Sequence, residues 1–518
     1  MSFRPAPLLT TQHELAVWCE RQRRQGPLHF VPTMGALHQG HQQLIRRASE
    51  PRGWGDPAVL VSVYVNPLQF GPNEDLARYP RQLAQDRLLA AAAGATAVWA
   101  PDSTTIYPAG VDAVTRVVPP TSLTGVLCGA SRPGHFTGVA TVVARLLALV
   151  RPDRLLLGEK DWQQLVVLRQ VVADLGLSVV VEGCGTVRQA DGLARSSRHA
   201  YLSPQQLRQA RALPRALAAA AALARSSNWQ AAPLIATVQE HLQAAELQID
   251  YVALVSPHTL AGLHQPGQLA LLAAAVHCGP ARLIDHTFLM TRAPIVAIDG
   301  PAGAGKSTVT KAFARRLGLV YLDTGAMYRA VTWWVQQQGV DPSDAAAVAP
   351  LLANLELRLE ADQSVTINGH DVTAAIRSPE VTAQVSTVAA HGCVREALTA
   401  QQQAMGQRGG LVAEGRDIGT AVFPDAELKV YLTATVAERA RRRAADLRQR
   451  GFAVPDLAEL EAQIAERDHL DSTRAIAPLQ QAADATELVT DGMAIEAVIQ
   501  ALVDLFRCRV PEDAWPQA

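Results

Sequence analysis

The sequence predicts an α/β protein made of two separate doubly wound halves, and three observations lead there. Short apolar runs alternate with helical stretches from Leu28 to about residue 180. The alternation restarts at Ile295. There the apolar run Ile295–Ile298 feeds a glycine-rich loop, Gly300-Pro-Ala-Gly-Ala-Gly-Lys-Ser307, that opens a helical stretch. Such alternation implies parallel strands joined by helical crossovers.

Leu28–Val31, Val59–Val65, Ala97–Ala100 and Leu155–Leu157 read as short buried strands, with helices between them that include Leu76–Ala93 and Val139–Val150. From about Ser203, Ala- and Gln-rich helices precede apolar runs at Ile249–Val255 and Leu269–Val276, which predicts a smaller mixed α/β subdomain. The boundary between the halves is expected over Asp285–Pro294, a segment too short and too poor in Gly and Ser for a flexible string. In the second half Asn368-Gly369 lies between two β-prone runs, a hairpin signal. Helices are expected from Pro379 to Met405, a strand at Leu428–Leu432 and a strongly basic helix over Thr435–Arg450. The expected domains are residues 1–285, divided near residue 185, and 294–518. No internal repeat is present, because the halves carry different motifs at different spacings.

Composition excludes several classes. A chain of 518 residues, 48% hydrophobic and 18% charged, has the makeup of an ordinary globular protein with two to four domains. The formal net charge of −1 supplies no global field for nucleic acid or an anionic membrane. The Ala/Leu run Ala216–Ala224 is too short to span a bilayer. Six scattered cysteines without Cys-x-x-Cys spacing argue against a zinc site or disulfide framework and fit a reducing cytosol. The expectation is a cytoplasmic protein with no nucleic-acid or membrane partner.

The first candidate site follows the first strand, in Pro32-Thr-Met-Gly-Ala-Leu-His-Gln-Gly-His41. His38 and His41 share one face of a helix start, and Gly40 lets a ligand approach the backbone. Two imidazoles there can bind phosphate oxygens and stabilise charge on a pentacovalent α-phosphorus. By itself the pair reads more readily as a polar helix cap. Two further signals reverse that. Gly158-Glu-Lys-Asp161 comes directly after a strand, where α/β sheets bind ligands, and Ser196-Ser-Arg198 offers two hydroxyls and a guanidinium.

His-x-Gly-His with Ser-Ser-Arg resembles the nucleotidyltransferases related to class I aminoacyl-tRNA synthetases. With Tyr64–Phe70, Asp75–Pro80, Gly129–Phe136, Gly158–Gln164 and Asp191–Tyr201, residues 8 to 290 resemble pantothenate synthetase. The resemblance implies a Rossmann-like nucleotidyltransferase domain with a small α/β C-terminal subdomain. It implies catalytic roles for His38, His41 and Lys160, and pantoate and β-alanine binding by Gln69 and Gln164. ATP would be bound by Met34, Gly40, His41, Gly158, Glu159, Lys160, Asp161, Val187, Arg195, Ser196, Ser197 and Arg198. Arg195 stands where the family commonly has an apolar residue and His199 where Asn is frequent. The family also implies a homodimer through this half.

The second site begins at the glycine-rich loop. A P-loop alone means a nucleoside triphosphate, shared by GTPases, ATPases and kinases: backbone amides wrap the phosphates, Lys306 binds the outer ones and Ser307 coordinates Mg²⁺. Gly300, Gly303, Gly305 and Thr308 complete the ATP loop. Asp323-Thr-Gly-Ala-Met-Tyr-Arg329 and Glu414-Gly-Arg-Asp-Ile-Gly419 offer groups for an acceptor nucleotide, and Arg439, Arg441, Arg442 and Arg443 form a basic helix face suited to a lid. Residues 294–510 resemble bacterial cytidylate kinase, a P-loop nucleoside monophosphate kinase fold. The resemblance implies CMP binding by Thr324, Arg329, Ser386, Arg395, Arg416, Asp417, Arg467, Asp471 and Arg474, a catalytic Lys306, and lid roles for Arg439 and Arg443. Thr324 stands where the family often has Ser. Two readings remain beside this one: adenylation of another carboxylate with phosphorylation of UMP or AMP, and a nucleotide-binding module without turnover.

Overall fold

The computed structural model describes the chain except residues 1–3, 53–54, 73, 227–229, 266–268, 361–362, 450, 452, 475 and 516–518. Its contacts divide it into unit 1, Met1–Thr291 together with Val510–Pro516, and unit 2, Arg292–Arg509.

Unit 1 is built on a six-stranded sheet of β1 (Leu8–Leu9), β2 (Leu28–Thr33), β3 (Ala58–Val63), β4 (Ala97–Trp99), β5 (Arg154–Gly158) and β6 (Val180–Cys184). Every pairing is parallel, in the order β1-β4-β3-β2-β5-β6. The apolar runs are continuous because the sheet is covered on both faces. Successive side chains of a strand point to opposite faces. Leu28, Phe30 and Leu60 accordingly join the core with Val139, Leu146 and Leu168, while Val31, Val59 and Val61 pack with Leu44, Ile45 and Ala48 of the helix Gln39–Ser49. Each fully buried Leu or Val side chain contributes on the order of 1.5–3 kcal/mol to holding the layers together.

Three further strands, β7 (Gln248–Val255), β8 (Leu269–Cys278) and β9 (Ala281–Met290), form an antiparallel meander. One face packs on the helices Ala212–Ser226 and Ala231–Ala244, and Leu271 and Ala273 on the other join the core of the large sheet. This corrects the expected boundary, because β9 runs through Asp285 as far as Met290. The polar side chains of Asp285 and His286 disguised the end of a strand as a linker. Asp285 is buried on a bidentate ion pair with Arg188, at 2.7 and 2.9 Å.

The helix expected over Leu76–Ala93 is two elements, a 3₁₀ turn Leu76–Arg78 and a helix Leu83–Ala92. Pro80, which has no N–H and clashes with the preceding turn, separates them.

Unit 2 has a parallel five-stranded sheet of β10 (Ile295–Asp299), β11 (Val320–Asp323), β15 (Leu411–Gly415), β16 (Leu428–Thr433) and β17 (Thr486–Val489), in the order β11-β15-β10-β16-β17. Between β11 and β15 a small antiparallel sheet is inserted: β12 (Leu357–Leu359), β13 (Val365–Ile367) and β14 (His370–Asp371). The Asn368-Gly369 turn joins β13 to β14 with φ of 48° and 81°, the left-handed pair that a two-residue hairpin needs. The basic helix spans Val436–Gln449.

Candidate active sites

In unit 1 the strand order reverses direction at β2, which has β3 on one side and β5 on the other. The loops after β2 and β5 therefore open a crevice at the carboxyl ends of the strands, where open α/β sheets bind ligands. The loop after β2 is tied down. Thr33 Oγ1 donates to Ser62 O at 2.7 Å and accepts from Gly35 N at 3.1 Å, and the buried Asp86 carboxylate accepts from Ala36 N and Leu37 N at 3.1 and 2.8 Å. Asp86 had no sequence signal for this role, since an acidic residue in the first turn of a helix is commonplace.

His38 caps the helix Gln39–Ser49, its Nδ1 accepting from Gly40 N at 3.1 Å. His41 Nδ1 accepts from His38 N at 3.3 Å, and the two rings stack with centroids 4.1 Å apart. Both Nδ1 atoms accept, so Nε2–H is left as the donor on each ring. Burial holds His41 down to about 3, with His38 and Lys160 adding repulsion. Burial, then Lys160, holds His38 down to about 4. Both rings are neutral donors at neutral pH.

Met34, His38, Gly40, His41, Gln69, Gly158, Lys160, Asp161, Gln164, Val187, Arg195, Ser196, Ser197 and Arg198 line one cavity of about 260 Å³. Glu159 does not line it: its side chain is buried on the backbone N–H groups of Glu512 and Asp513, both at 2.8 Å. Gln69 is held by Asn66, whose Nδ2 donates to its Oε1 at 3.0 Å, and by His135, bonded to its carbonyl at 2.8 Å. Arg132 and His135 also line the cavity. They lie in the Gly129–Phe136 motif, whose basic pair was the available signal for them. A neighbouring hollow of about 360 Å³ shares Lys160, Gln164 and Arg198 and adds Asp285 and His286 from β9.

In unit 2 the same logic applies at β10, which lies between β15 and β16. The loop after it needs glycine: a Cβ at Gly300 would sit 2.0 Å from Leu432 O, and Gly300, Gly303 and Gly305 all have positive φ. The helix Lys306–Arg316 starts here, so free N–H groups and the helix dipole face the loop. Lys306 Nζ donates to the carbonyls of Gly300 and Pro301 at 2.8 and 2.9 Å.

A cleft of about 740 Å³ is lined by Gly303, Gly305, Lys306, Ser307 and Thr308 of the loop, and by Thr324, Arg329, Ser386, Arg395, Arg416, Asp417, Arg467, Asp471, Arg474 and Arg443. Gly300 and Arg439 lie outside its lining. Arg395 is buried in an ion pair with Asp417 and lies over the Tyr328 ring, 5.6 Å from its centroid. Arg416 donates to Asp471 at 2.9 Å and Arg329 to Thr382 at 2.8 Å. The Thr324 hydroxyl donates to Glu414 O at 2.6 Å, so it fastens the helix Thr324–Gln337 to β15. Arg439, expected in the lid, is buried on Asp468 at 2.5 and 3.0 Å and donates to Ala302 O at 3.1 Å. It braces the loop, while its neighbours Arg442 and Arg443 reach the cleft. Glu414 lines the cleft at the end of β15 and was overlooked as the first letter of its own motif.

Residues 7–288 match the family model described as pantoate-beta-alanine ligase, and residues 296–508 match cytidylate kinase. A relative from Prochlorococcus marinus (strain MIT 9313), described as a bifunctional pantoate ligase/cytidylate kinase, is 64% identical over 505 residues, 96% of this chain and 99% of its own. The chain belongs to the bifunctional pantoate ligase/cytidylate kinase family. A second relative of the same description, from Parasynechococcus marenigrum (strain WH8102), is 64% identical over 98% of this chain and 99% of its own. The ligase half is also similar to the crystal structure of pantothenate synthetase from Thermus thermophilus, with 46% identity and a TM-score of 0.51 over 54% of this chain and 98% of that one. Among the described residues no helix is long and apolar enough to cross a membrane.

The histidine geometry carries a prediction for the ligase half. A Cβ at position 40 would stand 2.9 Å from His38 Cε1, so Gly40→Ala must push the His38 ring out of place. Steady-state assays should show pantothenate formation reduced about tenfold in kcat/KM, or ~1.4 kcal/mol, with CDP formation unchanged.

Proposed function

We infer that each half binds its own ATP and reacts it at a different phosphorus. What carries this reading is one juxtaposition in each unit: two neutral imidazoles beside Lys160 in the first, and a glycine loop with Lys306 facing an array of arginines in the second. In the ligase half, a pantoate carboxylate oxygen attacks the α-phosphorus of ATP and pyrophosphate leaves. The amine of β-alanine then attacks the acyl carbon of pantoyl adenylate, AMP leaves, and an amide is formed. Gln69 and Gln164 present the donors and acceptors that a hydroxy acid needs. His38, His41 and Lys160 meet the charge that develops on the phosphates, and Ser196, Ser197 and Arg198 close over them.

In the kinase half, a phosphate oxygen of CMP or dCMP takes the γ-phosphoryl group of ATP, giving CDP or dCDP and ADP. Catalysis there is positioning and electrostatics. The Arg395–Asp417 and Arg416–Asp471 pairs present fixed donors and acceptors to the acceptor nucleotide. Arg443 faces the phosphoryl group in flight.

The kinase site fits a magnesium ion brought by the nucleotide. Ser307 Oγ donates to Glu414 Oε1 at 2.5 Å, and Glu414 Oε2 is buried without a hydrogen-bond partner. A hydroxyl and a carboxylate oxygen are the hard donors that such an ion takes. When bound, it neutralises charge between the β- and γ-phosphates. Glu414→Gln should raise the magnesium concentration for half-maximal CDP formation about tenfold, read by titrating the metal into chelator-treated enzyme. An unmoved midpoint removes Glu414 from the metal site.

The deciding experiment incubates the chain with ATP, pantoate and β-alanine, and separately with ATP and each of CMP, dCMP, UMP and AMP. Pantothenate with AMP and pyrophosphate, and preference for CMP or dCMP, are the expected products. A homodimer through the ligase half and a cytoplasmic location complete the proposal, supported by the family resemblance.

A further inference from the structure

The described end of the chain, from Val510 to Trp515, belongs to unit 1, although it follows the last helix of unit 2 (Ile495–Arg509). It meets the strip Gly185–Val187, which follows β6 and walls the ligase cavity. Thr186 N donates to Asp513 Oδ1 at 2.8 Å and Thr186 Oγ1 to Asp513 Oδ2 at 2.5 Å. Gly185 N donates to Glu512 Oε2 at 3.2 Å. In return, Glu512 N and Asp513 N donate to the two oxygens of Glu159, each at 2.8 Å. Four of the five bonds use a backbone amide, so they fix the course of the main chain and not just the side chains. A Cβ at Gly185 would lie 3.2 Å from Asp513 Oδ1, so the tail packs close against the backbone there.

We propose that Asp513, assisted by Glu512, is a positioning residue of the ligase reaction: from outside the cavity it holds Gly185–Thr186 in the course that shapes the wall against ATP. This rests on the reading of the His38–His41 cleft as the ATP site. The contacts come from 327 residues downstream, beyond the stretch that matches the ligase family model. Three carboxylates, of Glu159, Glu512 and Asp513, crowd together here. Such a cluster holds because every named contact to it is an N–H or O–H donor. Burial, then Asp513, pushes Glu159 up to about 7.

The test uses full-length chains with both reactions assayed on each. Asp513→Ala should raise the ligase KM for ATP five- to tenfold and leave kcat within twofold, with CDP formation unchanged. Asp513→Asn should restore a near-normal KM, since its amide can accept from Thr186 N and donate to the threonine hydroxyl. A chain ending at Arg509 should show at least the KM rise of Asp513→Ala, and if it does not fold, the two point variants decide. An unmoved KM in Asp513→Ala, or an equal defect in Asp513→Asn, overturns the proposal. Lys160→Ala is the control for the underlying reading: if it leaves pantothenate formation intact, the ATP cleft has been misplaced. If it abolishes formation while Asp513→Ala behaves as wild type, only the role of the tail is lost.

Discussion

Lys306→Ala is expected to lower CDP formation by about 10²–10³-fold, the loss that follows removal of one preorganised charge-stabilising group, while pantothenate formation stays within twofold. The lysine is buried and bonded to two loop carbonyls, so without a nucleotide it is already aimed along the phosphate loop. Burial, with repulsion from Arg416, pulls its pKa down to about 7. The free enzyme therefore holds this group less firmly charged than a solvated lysine, and the arriving triphosphate restores the charge by drawing a proton onto the Lys306 amine. Below pH 7 the proton is already present and uptake falls. Calorimetric titration of ATP in two buffers of different ionisation enthalpy measures the uptake, which should disappear in Lys306→Ala. Loss of pantothenate formation instead would reverse the assignment of the two sites.

His41→Ala should lower ligase kcat by about 10²–10³-fold and leave CDP formation unchanged. Replacement removes an Nε2–H donor that the Nδ1 contact with His38 N had oriented. The ring is held near 3 by burial, so it acts as a neutral donor across the working range. Its linkage to folding has a definite sign. An unfolded histidine titrates near 6.5, so the stability these rings support is present above about pH 6.5 and is lost as pH falls toward 3–4. NMR of the imidazole C2–H resonances checks the charge state: those of His38 and His41 should not move between pH 5 and 8. A midpoint near 6.5 for either ring would mean that a solvated imidazolium, not a buried imidazole, meets the phosphates.

Much of the candidate sites was legible because their signals are local. His38, Gly40 and His41 lie within one turn, and the loop from Gly300 to Ser307 needs left-handed backbone that only its glycines supply without strain. Asn368-Gly369 marked its hairpin for the same reason. The opposite holds for β9. An alternating strand whose charges are answered by partners remote in sequence, Asp285 by Arg188, looks like a polar connection until those partners are known. Arg439 misled in a different way. Four arginines on one helix share a composition, but helix phase turns one inward to Asp468 and others to the cleft.

The sequence by itself determined the α/β class, the course of the two candidate loops, the turn at Asn368 and the pairing of a ligase half with a kinase half. Each depends on residues a few positions apart, whose periodicity and backbone preferences act before any tertiary contact exists. Only the tertiary structure decided that Asp86 fastens the loop after β2, that Glu159 turns from the cleft to Glu512 and Asp513, and that Val510–Trp515 belongs to the unit that begins the chain. Those outcomes are set by which buried donor meets which acceptor across hundreds of residues. Burial makes each pairing obligatory, and it leaves no trace in the local pattern.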